Sequence, residues 1–201
     1  MTKIKVCGLS RLEDIAAVNR LLPDYAGFVM AESRRRVDVK TAAMLKERLD
    51  PRIKAVGVFV NANMADVAEM YRNGVIDLAQ LHGDEDGGYI GRLKDKCDCP
   101  VIKAVGVGGA PPLFPAGCDY LLFDTLTQQR GGAGRTFDWH IIKGYRGPPF
   151  FLSGGLTAEN APDAIRLLAP FCADVSSGVE TDGIKDMVKI EKFIEAVRGM
   201  H

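Results

Sequence analysis

The sequence predicts an α/β chain folded as a single (β/α)₈ TIM barrel, and three observations carry that expectation. Apolar runs alternate with helix-period stretches along the chain; there are eight such runs of similar, short length; and many of them end in Gly-rich or polar loops suited to one rim. The 201 residues stand at the lower end of that fold's size range, which begins near about 200. A doubly wound open sheet uses the same alternation and is the competing layout. No linker or low-complexity tail divides residues 1–201, so one barrel domain is expected throughout.

The elements follow in order. KIKVC (3–7) reads as the first strand, Gly8 allows a sharp turn, and Ser10 followed by Glu13 has the spacing of a capping box that opens a helix over about 11–22. YAGFVM (25–30) precedes a helix at 38–49, KAVGVFV (54–60) one at 63–73, and IDLAQL (76–81) one at 84–96. PVIKAV (100–105) is followed by VGVGGAPPLFPAG, whose Gly and Pro content predicts a reduced or missing fifth helix. DYLLF (119–123), PFFLS (149–153) and ADVSS (173–177) complete the strands, with helices at 157–168, capped by Thr157, and at 186–198.

Composition narrows the function. With 47% hydrophobic residues the chain fills one core, and 26 basic residues against 26 acidic ones point to neither nucleic acid nor an anionic membrane as partner. Any bound anion must be captured locally. No apolar run is long enough to span a bilayer, and the first residues lack the layout of a signal peptide, so a cytoplasmic protein is expected. Five cysteines (7, 97, 99, 118 and 172) have no framework spacing, which implies reduced thiols. Cys97 and Cys99 have no histidine nearby in sequence, and no metal site is expected. The GxSxG, Walker and GxGxxG signatures are absent. Neither the balanced charge nor the aromatic content decides between a monomer and a homodimer.

Barrel chemistry gathers at the C-terminal ends of the strands, so the residues ending each strand are the candidates. Lys5 and Cys7 alternate onto one face of the first strand; a lysine one pleat below a thiol, with a helix N-terminus ahead of it, is expected to favour the thiolate. The alternative is a cysteine that only packs. Asp124 ends the apolar run YLLF, where desolvation would raise a carboxyl toward the range of a general acid; equally, it could cap a turn through Thr125. A base and an acid with opposed shifts across one pocket are suited to moving protons. Gly154 and Gly155 in LSGGLTAEN, with Ser176, Ser177 and Gly178 in SSGVE, lie where this fold commonly binds phosphate. A small phosphorylated substrate is therefore expected. Among Arg34, Arg35 and Arg36 one could hold a carboxylate bidentately, although such a run also suits a solvated face. His82 in QLHGDE could face the ligand or be satisfied by its own loop, and the Gly-rich stretch 128–139 could close over a pocket or simply connect strands.

Taken together, KVCGLSRLED, GFVMAESRRRV, VGVFVN, QLHGDE, VIKAV, LLFDT, GGAGRTFDW, LSGGLTAEN, DVSSGVE and GIKD resemble, in order and spacing, phosphoribosylanthranilate isomerase, the barrel enzyme of tryptophan biosynthesis. The resemblance spans nearly the whole chain. It implies an Amadori rearrangement of N-(5-phosphoribosyl)anthranilate to 1-(2-carboxyphenylamino)-1-deoxyribulose 5-phosphate, without metal or organic cofactor. It further implies Asp124 as general acid toward the ribose ring oxygen, Cys7 as general base at the sugar C2, Gly154, Gly155, Ser176 and Ser177 at the phosphate, and Arg35 at the substrate carboxylate. Family members commonly have Pro or Lys between the Ser and the Arg of the second-strand loop, whereas Ser33 here precedes three arginines, so Arg34 and Arg36 stay open for that last role. Two other readings remain: the histidine-pathway aminoaldose isomerase, which has an Asp where this chain has Cys7, and a non-catalytic phosphate-binding barrel.

Overall fold

The computed structural model describes residues 1–110, 112–125 and 136–200. Eight parallel strands close into a barrel in sequence order: β1 (Lys3–Cys7), β2 (Tyr25–Val29), β3 (Lys54–Phe59), β4 (Leu78–Leu81), β5 (Val101–Val107), β6 (Tyr120–Thr125), β7 (Phe150–Leu152) and β8 (Cys172–Val175). β8 returns to pair with β1, with Lys5 opposite Asp174, and β1 pairs with β2, with Cys7 opposite Gly27. The open-sheet alternative is thereby excluded.

Among the described residues six α-helices accompany the strands: α1 (Leu12–Leu21), α2 (Val39–Glu47), α3 (Met64–Arg72), α4 (Gly87–Lys96), α5 (Ala161–Leu168) and α6 (Met187–Arg198). Four begin on side-chain caps, where Asp38, Asn63, Asp86 and Asp186 accept from orphan backbone N–H groups of the first turn. α6 places Ile190, Phe193, Ile194 and Val197 on one buried stripe at helical spacing. Burying each such side chain contributes about 1.5–3 kcal/mol. The Gly/Pro segment after β5 forms no helix among its described residues, in keeping with the expectation for the fifth helix.

Two expected caps shift. The capping box of α1 falls one residue later than Ser10 and Glu13: Arg11 is the N-cap, and Asp14 accepts from the Ser10 and Arg11 N–H groups at 2.9 and 3.1 Å. One buried carboxylate spanning two donors fixes that start. Thr157 does not cap α5. Asn160 stands at the N-cap with Pro162 in the first turn, and its amide accepts from Thr157 N and donates to Gly155 O, which braces the preceding Gly-Gly turn.

β-strand alternation sorts side chains into two sets. One packs outward against the helices. The other fills the barrel interior, apolar at the bottom (Tyr25, Val56, Leu78, Ile102, Leu122, Phe151, Cys172), with Tyr25 and Phe151 in an edge contact at 5.4 Å. Two residues further along three of these strands the inward positions turn polar, Gln80 above Leu78, Asp124 above Leu122 and Asp174 above Cys172, while on β1 the charged Lys5 already lies beneath Cys7. This change from apolar to polar within one strand parity makes the floor of the site.

After β8 the chain makes a short hairpin, β9 (Glu180–Thr181) with β10 (Ile184–Lys185), turned by Asp182 and Gly183, both at positive φ. Asp-Gly suits such a two-residue turn because both central residues must enter the left-handed region.

Candidate active site

Cys7 is buried at the end of β1, directly above Lys5. Lys5 is fully buried and its ammonium donates to Asp174 Oδ2 at 2.9 Å. Burial works against the Lys5 charge, but attraction to Asp174 and Cys7 outweighs it and holds the ammonium above the ordinary lysine range. The expected thiolate preference does not follow. Burial pushes the Cys7 thiol above its ordinary value, and Lys5, largely neutralised by Asp174, only partly offsets that. The sequence shows the cation beneath the thiol; it does not show the carboxylate from β8 that faces it. Burial likewise raises the Asp174 carboxyl, with the nearby Asp124 adding to the rise and Lys5 opposing it.

Asp124 lies across the same pocket on β6. Its Oδ1 accepts from Thr125 N at 2.8 Å, the turn-capping contact, while Oδ2 stands 3.5 Å from His82 Nε2. The turn-capping contact through Thr125 is thus present, and the second oxygen faces His82. His82 Nδ1 lies 2.9 Å from Gln80 Nε2, so with the amide donating, the ring proton sits on Nε2 and points toward Asp124. The His82 loop is fixed from below by Lys103, which binds Glu85 at 2.9 Å and the Gly83 carbonyl at 2.7 Å.

Arg35, Cys7, His82, Asp124 and Ser176 line one pocket, with Val29, Val58 and Val60 contributing apolar wall. It continues into a smaller polar lobe lined by Gly154, Gly155, Ser176, Ser177 and Gly178. Asp124, Ser153, Asp174 and Ser176 line both parts, so the two are contiguous. Gly154 and Gly155 have φ of 85° and 66°, and a Cβ on Gly178 would stand 2.0 Å from Leu156 O. These glycines let two backbones meet without side chains between them, the kind of surface that accepts a phosphate.

Of the three arginines, Arg35 lines the pocket, Arg34 is largely exposed, and Arg36 pairs with Glu32 at the surface. Arg35 lies across Gly8, whose φ is 82° and where a Cβ would reach 2.5 Å from the Arg35 Cδ. Residues 128–135 of the proposed closing stretch lie outside the described residues.

Gly27 backs the thiol: an added Cβ would stand 2.6 Å from Cys7 Sγ and 3.0 Å from its Cα. Gly27→Ala is therefore expected to displace the thiol and lower kcat by about 100-fold, the effect of misplacing a reacting group by roughly 1 Å. Steady-state kinetics on the folded variant checks this; an unchanged kcat would mean that the thiol position is not critical.

The sequence reading did not single out Asp174, Gln80, Glu180 or Lys185. Strand alternation carried a signal for two of them, since Gln80 and Asp174 share inward parity with Leu78 and Cys172. Asp174 Oδ1 and Gln80 Oε1 are buried with no hydrogen-bond partner among the described residues. Both residues line the pocket, where a ligand hydroxyl or amine could satisfy them.

A closed (β/α)₈ barrel that sets a thiol against a carboxyl across one pocket, with a bare-backbone lobe at the ends of β7 and β8, has the build of a proton-transferring enzyme for a phosphorylated small molecule. The comparisons with known proteins give the family. The model of N-(5'-phosphoribosyl)anthranilate (PRA) isomerase matches residues 4–196. The N-(5'-phosphoribosyl)anthranilate isomerase of Endomicrobium trichonymphae is 46% identical over 201 residues, covering 100% of both chains. The crystal structure of phosphoribosyl anthranilate isomerase from Thermotoga maritima superposes with a TM-score of 0.87 at 35% identity, over 99% of this chain and 100% of that one. Another solved phosphoribosyl anthranilate isomerase, in complex with reduced 1-(o-carboxyphenylamino)-1-deoxyribulose 5-phosphate, is 32% identical with a TM-score of 0.84, over 99% of this chain and 100% of that one. The chain belongs to the N-(5'-phosphoribosyl)anthranilate isomerase family.

Proposed function

We propose that Asp124 and Cys7 are the acid and the base of the family's reaction, the isomerisation of N-(5'-phosphoribosyl)anthranilate in tryptophan biosynthesis. The observation that carries this reading is one contiguous cleft lined by an arginine, three valines, a thiol and a carboxyl, which joins a lobe of glycine and serine backbone. That set of groups matches a substrate that carries an aromatic carboxylate, a phosphate and a reacting sugar.

Asp124 protonates the ribose ring oxygen as the nitrogen lone pair forms the C1=N bond and the C1–O bond breaks. Cys7, as thiolate, removes the C2 proton; the C2–H electrons form C1=C2 and neutralise the iminium. Ketonisation then takes the proton from the C2 hydroxyl and places one on C1. Of the protons held by Cys7 and by that hydroxyl, one reaches C1 and the other restores Asp124. The unpartnered Oδ1 of Asp174 is suited to accept from the sugar hydroxyl during this step. Gly154, Gly155, Ser176, Ser177 and Gly178 hold the phosphate, and Arg35 the carboxylate. His82 orients the Asp124 carboxyl. No step requires a metal or organic cofactor.

All five cysteines are free thiols, which suits a reducing compartment, and no helix among the described residues is long and apolar enough to cross a membrane. A cytoplasmic enzyme is the corresponding proposal.

The test of activity is the decay of substrate fluorescence, with substrate generated in place, upon addition of purified protein. Acceleration over the spontaneous rate supports the reading; its absence in correctly folded protein would leave a barrel that binds phosphate without turnover. A pH series adds a second check. The base must be deprotonated, and burial raises the Cys7 thiol above its ordinary value of 9.0, so kcat/KM should rise with pH along an alkaline limb. The rate of Cys7 alkylation by iodoacetamide, read by mass spectrometry, should follow the same limb. A limb below neutrality in both would mean that Lys5 dominates burial and that the thiol rests as a thiolate.

A further inference from the structure

The pocket-lining Arg35 is already engaged by a residue outside the pocket. Its Nε donates to Glu180 Oε1 at 2.6 Å and its Nη2 to Glu180 Oε2 at 3.0 Å. Glu180 is buried, and both oxygens have a second donor: Lys185 Nζ to Oε1 at 2.7 Å and Arg34 Nη2 to Oε2 at 2.7 Å. Four donors occupy the four acceptor directions of one carboxylate, so Glu180 has none left for a ligand. Burial alone would raise this carboxyl, yet the bonds from Arg35 and Lys185 prevail and hold it below its ordinary value.

A guanidinium has two edges that can grip a carboxylate, the side edge of Nε with Nη2 and the end edge of Nη1 with Nη2. Glu180 takes the side edge of Arg35. Among the described residues no hydrogen bond takes the end edge, on an arginine that lines the pocket. Three cations share this single carboxylate, so the cluster keeps an excess of positive charge toward an incoming anion. Lys185 also donates to Ser176 O at 2.8 Å, and Ser176 Oγ donates to Cys7 O at 3.1 Å, which ties the same cluster to the phosphate lobe and to the base.

We propose that Glu180, delivered with Lys185 by the β9–β10 hairpin, is a positioning residue for substrate specificity: it clamps Arg35 by its side edge so that the end edge meets the aromatic carboxylate of the substrate. The proposal rests on the reading of Arg35 as the carboxylate ligand. The hairpin supplies the geometry directly, because the strand register sets Glu180 opposite Lys185 and the tight Asp182-Gly183 turn fixes that register.

The experiment compares two substrates formed from ribose 5-phosphate, one with anthranilate and one with aniline, which lacks the carboxylate. Glu180→Ala is expected to raise KM for the anthranilate substrate about 10- to 100-fold with kcat changed less than about threefold, the scale of one misaligned charge-assisted contact. With the aniline substrate its effect on kcat/KM should shrink to within about threefold, because no carboxylate remains to be aligned. Glu180→Gln, which keeps the shape and one acceptor oxygen, should fall between wild type and alanine, and it serves as the test variant if the alanine protein does not fold. Arg35→Ala, run in parallel, should show the same dependence on the carboxylate. If Arg35→Ala distinguishes the substrates and neither Glu180 variant does, the clamp is overturned while the Arg35 reading stands. If Arg35→Ala impairs both substrates equally, the carboxylate reading fails and takes the clamp with it.

Discussion

Replacing Cys7 with alanine is expected to lower kcat by roughly 10²- to 10⁴-fold, the span contributed by a positioned general base. The pocket around the thiol is built for it. Gly27 leaves room for the sulfur, Lys5 places a cation beneath it, and β1 presents it on the inward face beside Asp174. The Lys5 and Asp174 pair survives the substitution, so no buried charge is orphaned and the fold should persist; orphaning one would cost about 3–5 kcal/mol. Initial rates of fluorescence decay, with far-UV circular dichroism as the check on folding, measure the effect. Cys7→Ser, with a far weaker base than a thiolate, should be nearly as impaired. A near wild-type rate in either protein would remove Cys7 from the mechanism.

A loss of comparable size, about 10²- to 10⁴-fold in kcat, is expected for Asp124→Ala. Asp124→Asn is the sharper variant. Its side-chain oxygen can keep the 2.8 Å contact with Thr125 N and its volume is nearly unchanged, but it has no proton to give to the ring oxygen. Equal impairment of the two variants places the function in the proton; substantial activity in the asparagine protein would place it in the turn geometry instead. His82→Ala should be milder than either, because it removes an orienting contact 3.5 Å from Asp124 and leaves the acid itself in place.

The strand order and the candidate rim were legible in the sequence because both depend on short-range pattern. Apolar runs of similar length gave all eight strands to within about three residues at each end, and each candidate at a strand end came to the rim once the barrel closed. What escaped was set by partners distant in sequence. Lys5 below Cys7 suggested a depressed thiol, and only the pairing of β1 with β8 brings Asp174 in to neutralise that lysine. Arg35 was legible as one of three candidates for a carboxylate contact, but its grip by Glu180, 145 residues away, was not. DVSSGVE and GIKD already contained Asp174, Glu180 and Lys185, and the Asp182-Gly183 step between them was a usable hairpin signal. The α1 and α5 caps moved because Asp14 and Asn160 reach two backbone groups each, a competition that spacing alone does not rank.

The central claim is that the thiol of Cys7 breaks the C2–H bond while Asp124 separately opens the ring. The most direct measurement is nuclear magnetic resonance on Cys7→Ala with substrate carrying deuterium at ribose C2, followed in ordinary water. The account predicts that the variant retains the deuterium at C2 while still exchanging the C1 anomers faster than buffer does, because Asp124 remains to open the ring. Loss of the deuterium at the wild-type rate would contradict it and assign the base to another group in the pocket.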